Sequence, residues 1–91
     1  MAKVIITLKV MPKSPTSDLN KIKENVSHLV KEFGGEVGKV EENPVAFGIK
    51  SLNIFFVMDE SLGSTEELEK HASEISEVSS VEVIDVRRAV G

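Results

Sequence analysis

The chain has 91 residues, of which 41 % are hydrophobic and 29 % charged, the size and composition of one small globular domain. It contains no cysteine, which excludes disulfides, thiolate metal ligands and cysteine nucleophiles. Its net charge of -4 argues against a general nucleic-acid binder, and its longest apolar run is too short to span a bilayer.

The first half of the chain predicts a strand, an amphipathic helix and a second strand. Residues 3–11 alternate between apolar and polar side chains, a period typical of a strand with one covered face. Residues 16–18 offer helix N-caps, and Gly34-Gly35 stops the helix. Apolar residues recur between them at helical spacing, at Leu19, Ile22, Val26, Leu29, Val30 and Phe33. Residues 36–42 predict a weaker strand with the charges and glycines of a sheet edge.

A turn and the strongest strand of the chain follow. Asn43-Pro44 indicates a turn or bend near a hairpin. In the strand predicted for residues 49–58, one face carries Leu52, Ile54, Phe56 and Met58. The opposite face carries Ser51, Asn53, Phe55 and Val57. We therefore expect the first face to lie in the core.

The last third of the chain predicts a second helix and a final strand. Residues 64–67, Ser-Thr-Glu-Glu, indicate a capping box in which the Ser64 hydroxyl accepts from the Glu67 amide and the Glu67 carboxylate reaches back. An apolar stripe follows at Leu68, Ala72, Ile75 and Val78. Residues 81–88 predict a strand in which Val81 and Val83 have the opposite parity to Ile84 and Val86. A β-bulge would reconcile the two parities.

The resulting order of elements is β-α-β-β-α-β. Each predicted helix has a single apolar stripe, so both helices most simply cover one face of one antiparallel sheet. This predicts a single α+β domain over residues 1–91, a ferredoxin-like βαββαβ sandwich. Its four-stranded antiparallel sheet should carry two helices on one face.

Groups suited to bond chemistry are sparse. The chain has no GxxxxGK[ST] loop, and the glycine-rich segment of residues 34–38 opens a strand and not a helix. His28 and His71 each lie on a predicted helix without a second histidine in ligand register. Adjacent acidic pairs occur in a strand, a loop and a helix start, at Glu41-Glu42, Asp59-Glu60 and Glu66-Glu67. We therefore expect no catalytic residue, no metal site and no cofactor.

Direct binding of RNA has little support. An RNA-binding domain with this order of elements shows aromatic residues on the open face of its two central strands. The first strand has none, and Phe55 is the open-face candidate on the third. We expect no direct nucleic-acid partner. The first residues also lack the apolar core of a secretory signal, so we expect a cytoplasmic protein without membrane contact.

Residues 44–52, PVAFGIKSL, resemble the start of the conserved part of the elongation factor 1-beta family. In that family a Phe-Gly-Ile/Leu-Lys-x-Leu segment opens a strand. An acidic segment, a short helix and a final strand with a basic residue near its end then follow. Here Asp59-Glu60, residues 64–78 and residues 81–88 take these places. The resemblance covers the whole chain, and implies the family's guanine-nucleotide exchange domain in its short, stand-alone archaeal-type form.

The resemblance implies an exchange factor for elongation factor 1-alpha, the GTPase that delivers aminoacyl-tRNA. Such a factor works by docking onto its partner and not by bond chemistry. The family's ring-inserting Phe corresponds to Phe47, with Gly48 and Lys50 beside it. Its cationic residue, a Lys in the longer members, corresponds to Arg88 or to its neighbour Arg87. We expect these five residues to contact the partner.

The fold adds a constraint on these candidates. The second and third strands meet at one end of the sheet, and the last strand finishes at the other. Phe47 and Arg88 should therefore lie at opposite ends, roughly 25 Å apart at about 3.3 Å per residue.

Two other classes of function stay open. One is a ligand-sensing ferredoxin-like regulatory module that binds a small effector at a dimer interface. The other is a small hydrolase, which needs a phosphate cradle after the first strand. Residues 11–15, Met-Pro-Lys-Ser-Pro, make a poor cradle, because the two prolines have no N–H to donate.

Overall fold

The computed structural model of the protein describes residues 3–89. The elements are β1 (Lys3–Pro12), α1 (Leu19–Phe33), β2 (Glu36–Pro44), β3 (Lys50–Asp59), a 3₁₀ turn (Glu60–Leu62), α2 (Glu66–Ser73) and β4 (Val78–Ala89). The strands form one antiparallel sheet in the order β2-β3-β1-β4, so β2 and β4 are its edges. The predicted ferredoxin-like α+β architecture is confirmed. Neither helix of the described part is long and apolar enough to cross a membrane.

One hydrophobic core lies between the sheet and the two helices. Alternate residues of β1 and β3 supply one side of it, and the apolar stripes of α1 and α2 supply the other. Its buried members are Ile6, Leu8, Val10, Ile22, Val26, Val30, Leu52, Ile54, Phe56, Met58, Leu68, Ala72 and Val78. Leu19, Leu29 and Ile75 pack against this cluster and are partly buried. Both helices therefore cover the same face of the sheet, as the single stripes predicted.

Helix α1 begins and ends where its local sequence predicted. The Asp18 carboxylate accepts a hydrogen bond from the backbone N–H of Lys21 at 3.2 Å and so caps the N-terminus. Gly34 takes the left-handed conformation, with a φ of 108°, at the C-terminus. The N–H of Gly35 then donates to the carbonyl of Val30 at 2.9 Å. These bonds stop the helix and turn the chain into β2.

The predicted bulge is present in β4. Leu8 of β1 lies opposite Val83, whereas Thr7 lies opposite Asp85, so Ile84 is the extra residue. The bulge shifts the alternation of β4 by one position. The residues before and after it therefore place their apolar side chains on the same, helix-facing side of the sheet.

The turn predicted at Asn43-Pro44 starts later in the structure. Both residues still belong to β2, where Asn43 pairs with Ser51 and Pro44 pairs with Lys50. Pro44 is tolerated there because it lies at the end of an edge strand. The hairpin turn consequently begins at Val45.

The second helix is shorter than its apolar stripe suggested. It ends at Ser73, and Ile75 lies in a turn while Val78 opens β4 opposite Pro12. Glu77 has a φ of 74° in this turn and redirects the chain into the sheet. The last residue of the predicted apolar stripe, Val78, therefore pairs in the sheet instead of continuing the helix.

The predicted capping box is wrong. The Ser64 hydroxyl accepts from the N–H of Glu66 at 3.1 Å, one residue earlier than predicted, and Glu67 does not reach back. The Thr65 hydroxyl instead donates to the Glu69 carboxylate at 3.0 Å. The helix starts one residue too late for the Ser64–Glu67 spacing, because Thr65 is the N-cap.

Replacing Ile54 by Ala tests the core directly. Ile54 is fully buried in β3, so the loss of its side chain should lower the free energy of unfolding by about 2–5 kcal/mol. The same change at the exposed Ile84 should cost less than about 0.5 kcal/mol. Urea unfolding of both variants measures the difference, and equal costs would contradict this core.

Candidate functional site

The β2–β3 hairpin ends in a tight turn with Phe47 at its tip. The N–H of Ile49 donates to the carbonyl of Ala46 at 3.0 Å, and the N–H of Val45 donates to the carbonyl of Ile49 at 2.8 Å. Phe47 and Gly48 both have positive φ angles, 56° and 75°. Positive φ at both central residues is the pattern of a type I′ turn, whose twist matches that of the flanking strands.

Phe47 is an unfavourable residue for its position in the turn. The residue is 94 % exposed, so its ring contributes almost no burial to the fold. The left-handed backbone conformation costs a bulky L-residue roughly 1–2 kcal/mol, and Asn or Gly would suit the position better. A costly exposed ring of this kind points to a role outside the fold itself.

Gly48 and Lys50 flank the same tip. A Cβ on Gly48 would meet Pro15 at 3.9 Å, an ordinary contact, so the backbone angle and not crowding favours glycine there. Lys50 begins β3 and is exposed. Phe47, Gly48 and Lys50 thus form one group, which we call the hairpin tip.

Arg87 and Arg88 lie near the end of β4 and point to opposite sides of the sheet. Arg88 is opposite Val4, which packs against the core, so its side chain emerges on the helix-facing side. Its guanidinium pairs with the carboxylate of Glu60. Arg87 emerges on the open side, and its Nε lies 2.9 Å from the Asp85 carboxylate. Both arginine side chains are mostly exposed.

The hairpin tip and the two arginines lie at opposite ends of the sheet. Strand β3 starts at Lys50 beside the tip and ends at Asp59, which pairs with Lys3. Lys3 in turn pairs with Ala89 at the end of β4. The 10 residues of β3 span roughly 30 Å at about 3.3 Å per residue. The molecule measures 42 Å along its longest axis. The five predicted residues therefore form two separate groups.

Each group has apolar neighbours that the sequence did not single out. Val86, 59 % exposed, lies two positions before Arg88 and on the same side of β4. Val45 lies two positions before Phe47 and is also exposed. Each valine adds exposed apolar surface next to a candidate residue. The predicted bulge places Val86 on the helix-facing side of the sheet, but its exposure depends on tertiary packing, for which the sequence has no local signal.

The Arg88 end also contains an open cleft of about 600 Å³. Its polar lining includes Lys3, Lys31, Glu36 and Asp59, so it offers charges of both signs. The Asp59 carboxylate accepts hydrogen bonds from Ser61, and these hold the pKa of Asp59 below its usual range. The bond from the Ser61 backbone N–H has the larger effect and the bond from its hydroxyl the smaller. Lys3 lowers this pKa further. This mixed lining does not resemble a phosphate site, which gathers cations and N–H donors.

The remaining candidates from the sequence lie apart from these groups. His28 and His71 are exposed and face Glu32 and Glu74 of their own helical segments at 3.0 and 3.8 Å. Within residues 3–89, no three His, Asp or Glu side chains are arranged to hold a metal ion. Phe55 is half-buried on the open face, with the Lys39 ammonium 5.4 Å from its ring centroid. That lysine occupies the approach that a stacked base would need.

Comparison with known proteins identifies close relatives over nearly the whole length. Residues 5–89 match the family model described as the EF-1 guanine nucleotide exchange domain. Proteins named elongation factor 1-beta from Methanothermobacter thermautotrophicus and Methanobrevibacter smithii are 43 % and 39 % identical over 88 residues. These alignments cover 97 % of this chain and 98 % of each relative.

A solved structure supports the fold alone. The ACT domain from GTP pyrophosphokinase of Chlorobium tepidum superposes with a TM-score of 0.61, over 90 % of this chain and 99 % of that one. The two sequences are only 11 % identical, so this likeness says nothing about function.

Replacing Phe47 by Asn tests the conformational cost of the tip. Asn adopts the left-handed conformation more readily, and the exposed ring loses no burial, so the free energy of unfolding should rise by about 1 kcal/mol. Phe47→Ala removes the ring but keeps the backbone penalty and should leave stability nearly unchanged. Urea unfolding of both variants measures this. Equal destabilisation by the two changes would show that the ring packs against the domain.

Proposed function

The chain belongs to the EF-1 guanine nucleotide exchange domain family, and we propose on that premise that it promotes GDP release and GTP loading on elongation factor 1-alpha. The role of this family is nucleotide exchange in translation elongation. The domain acts by docking onto the GTPase, and the exchange makes or breaks no covalent bond in the domain itself.

The observation that most supports this proposal is the conformation of Phe47. Its ring is almost fully exposed on a backbone that disfavours it, so the fold pays a cost and gains no packing. A protein pocket that receives the ring on docking accounts for both facts. Aromatic anchors that fill a partner's pocket carry a large share of the energy of such interfaces.

The second group supplies a cation at the other end of the sheet. Mg²⁺ in a GTPase bridges the phosphates of the bound nucleotide and orders the switch loops. A guanidinium brought close to this metal competes with it electrostatically. We assign that role to Arg88, because it shares its side of β4 with the exposed Val86, whereas Arg87 faces the open side beside Asp85.

The fixed distance between the hairpin tip and Arg88 accounts for the link between docking and nucleotide exchange in this proposal. A continuous sheet joins the hairpin tip to the end of β4, so the distance between Phe47 and Arg88 is held fixed by hydrogen-bonded strands. A GTPase that accommodates both must adopt the conformation that fits this spacing. If that conformation holds GDP weakly, preferential binding to it shifts the population toward nucleotide release.

Phe47→Ala and Arg88→Ala should each slow catalysed GDP release from the GTPase. Loss of an aromatic anchor commonly costs more than about 2 kcal/mol, or about thirtyfold. The loss for Arg88→Ala should shrink as Mg²⁺ is lowered, because the proposed target of the cation is the metal. The loss for Phe47→Ala should not depend on Mg²⁺ in this way. Stopped-flow release of a fluorescent GDP across Mg²⁺ concentrations measures both.

Arg87→Ala is the matched control, since it removes the same charge from the neighbouring position. A large loss for Arg87→Ala with a normal rate for Arg88→Ala would move the cationic role by one residue. Normal rates for all three variants would contradict the mechanism. The isolated domain should not itself bind GDP, and micromolar binding in a calorimetric titration would contradict docking as the mode of action.

A further inference from the structure

Arg88 is already held by an acidic side chain within the domain. Its Nη2 donates to Oε1 of Glu60, which lies 28 residues earlier in the chain. The Arg88 side chain is 67 % exposed and the Glu60 side chain 46 % exposed. The pair thus sits on the surface at the end of the sheet that carries the proposed cationic role.

The segment that carries Glu60 is anchored on both sides. Asp59 caps the 3₁₀ turn by accepting from the N–H of Ser61 at 2.9 Å. The N–H of Gly63 donates to the carbonyl of Glu60 at 3.2 Å and closes the turn. Leu62 packs over Gly34, where an added Cβ would lie only 3.1 Å from the leucine side chain. Glu60 is therefore presented by a fixed turn and not by a loose loop.

We propose that Glu60 is an internal counter-ion that holds the Arg88 guanidinium in the free domain and must be displaced when Arg88 reaches the GTPase. This inference rests on the proposed function for its consequence, although the ion pair itself does not depend on it. The displacing groups are the anionic oxygens around the GTPase's Mg²⁺. Glu60 thereby restrains exchange, because every productive docking event has to break its bond to Arg88.

The size of the restraint follows from the exposure of the pair. Exposed ion pairs shift an equilibrium by at most about fivefold, since water and salt screen them. Glu60→Gln removes the charge and keeps the shape of the side chain. It should raise the apparent second-order rate of GDP release by about two- to fivefold at low ionic strength. The gain should fade as salt is added, because the wild-type pair is then already weakened.

Two matched variants separate this effect from a general change of charge. Asp85→Asn also removes one negative charge at the same end of β4, but it releases Arg87 and should give no comparable gain. Glu60→Gln in an Arg88→Ala background should also give no gain, because the guanidinium is absent. Slower exchange for Glu60→Gln alone, the same gain for Asp85→Asn, or a gain that persists without Arg88 would each overturn the proposal.

A second readout does not depend on the GTPase. In NMR spectra of the isolated domain, Glu60→Gln should speed exchange of the Arg88 guanidinium protons with water and leave those of Arg87 unchanged. If the wild-type domain fails to accelerate GDP release, the proposed function fails while this measurement still tests the ion pair. Unchanged Arg88 signals in Glu60→Gln would refute the counter-ion whatever the exchange rates show.

Discussion

The antiparallel register of β1 with its two neighbours fixes the position of every candidate residue. Lys3 pairs with both Asp59 and Ala89, so the end of β3 and the end of β4 meet at one end of the sheet. The β2–β3 turn must then lie at the other end of the sheet. A slip of one residue would move every side chain of a strand to the opposite face, and the buried apolar rows of β1 and β3 oppose that slip. The core therefore also sets the distance between the two groups that we propose as docking contacts.

The two ends of the sheet depart from local stability rules in different ways. At the hairpin tip, Phe47 occupies a left-handed position without packing against the domain. At the far end, Val86 is exposed on the helix-facing side of β4, and Arg88 projects from the same side. Residues that satisfy no requirement of their own fold are the ones expected at functional surfaces. A partner that covers both ends accounts for both departures.

The elements that could be predicted are those whose ends are marked by signals in the nearby sequence. Helix α1 was predictable because its cap at Asp18, its stop at Gly34 and its apolar stripe are all local signals. The C-terminal end of α2 was not predictable, because Val78 fits a helical period but pairs in the sheet instead. Phe47 was identified as a candidate only through family resemblance, because the residues alone favour burial of an apolar ring near a turn. Contacts distant in sequence, such as the pair of Glu60 with a β4 arginine, leave no periodic signal.

Simultaneous engagement of both ends by one GTPase molecule is the central claim, and photo-cross-linking tests it most directly. One doubly substituted domain would carry a photoreactive residue at Val45, beside Phe47, and another at Val86, on the same side of β4 as Arg88, and both would be tested for labelling of the nucleotide-free GTPase. The account predicts a one-to-one adduct in which the two probes attach to two separate segments of the same GTPase molecule. Attachment from only one probe, or to two different GTPase molecules, would contradict it.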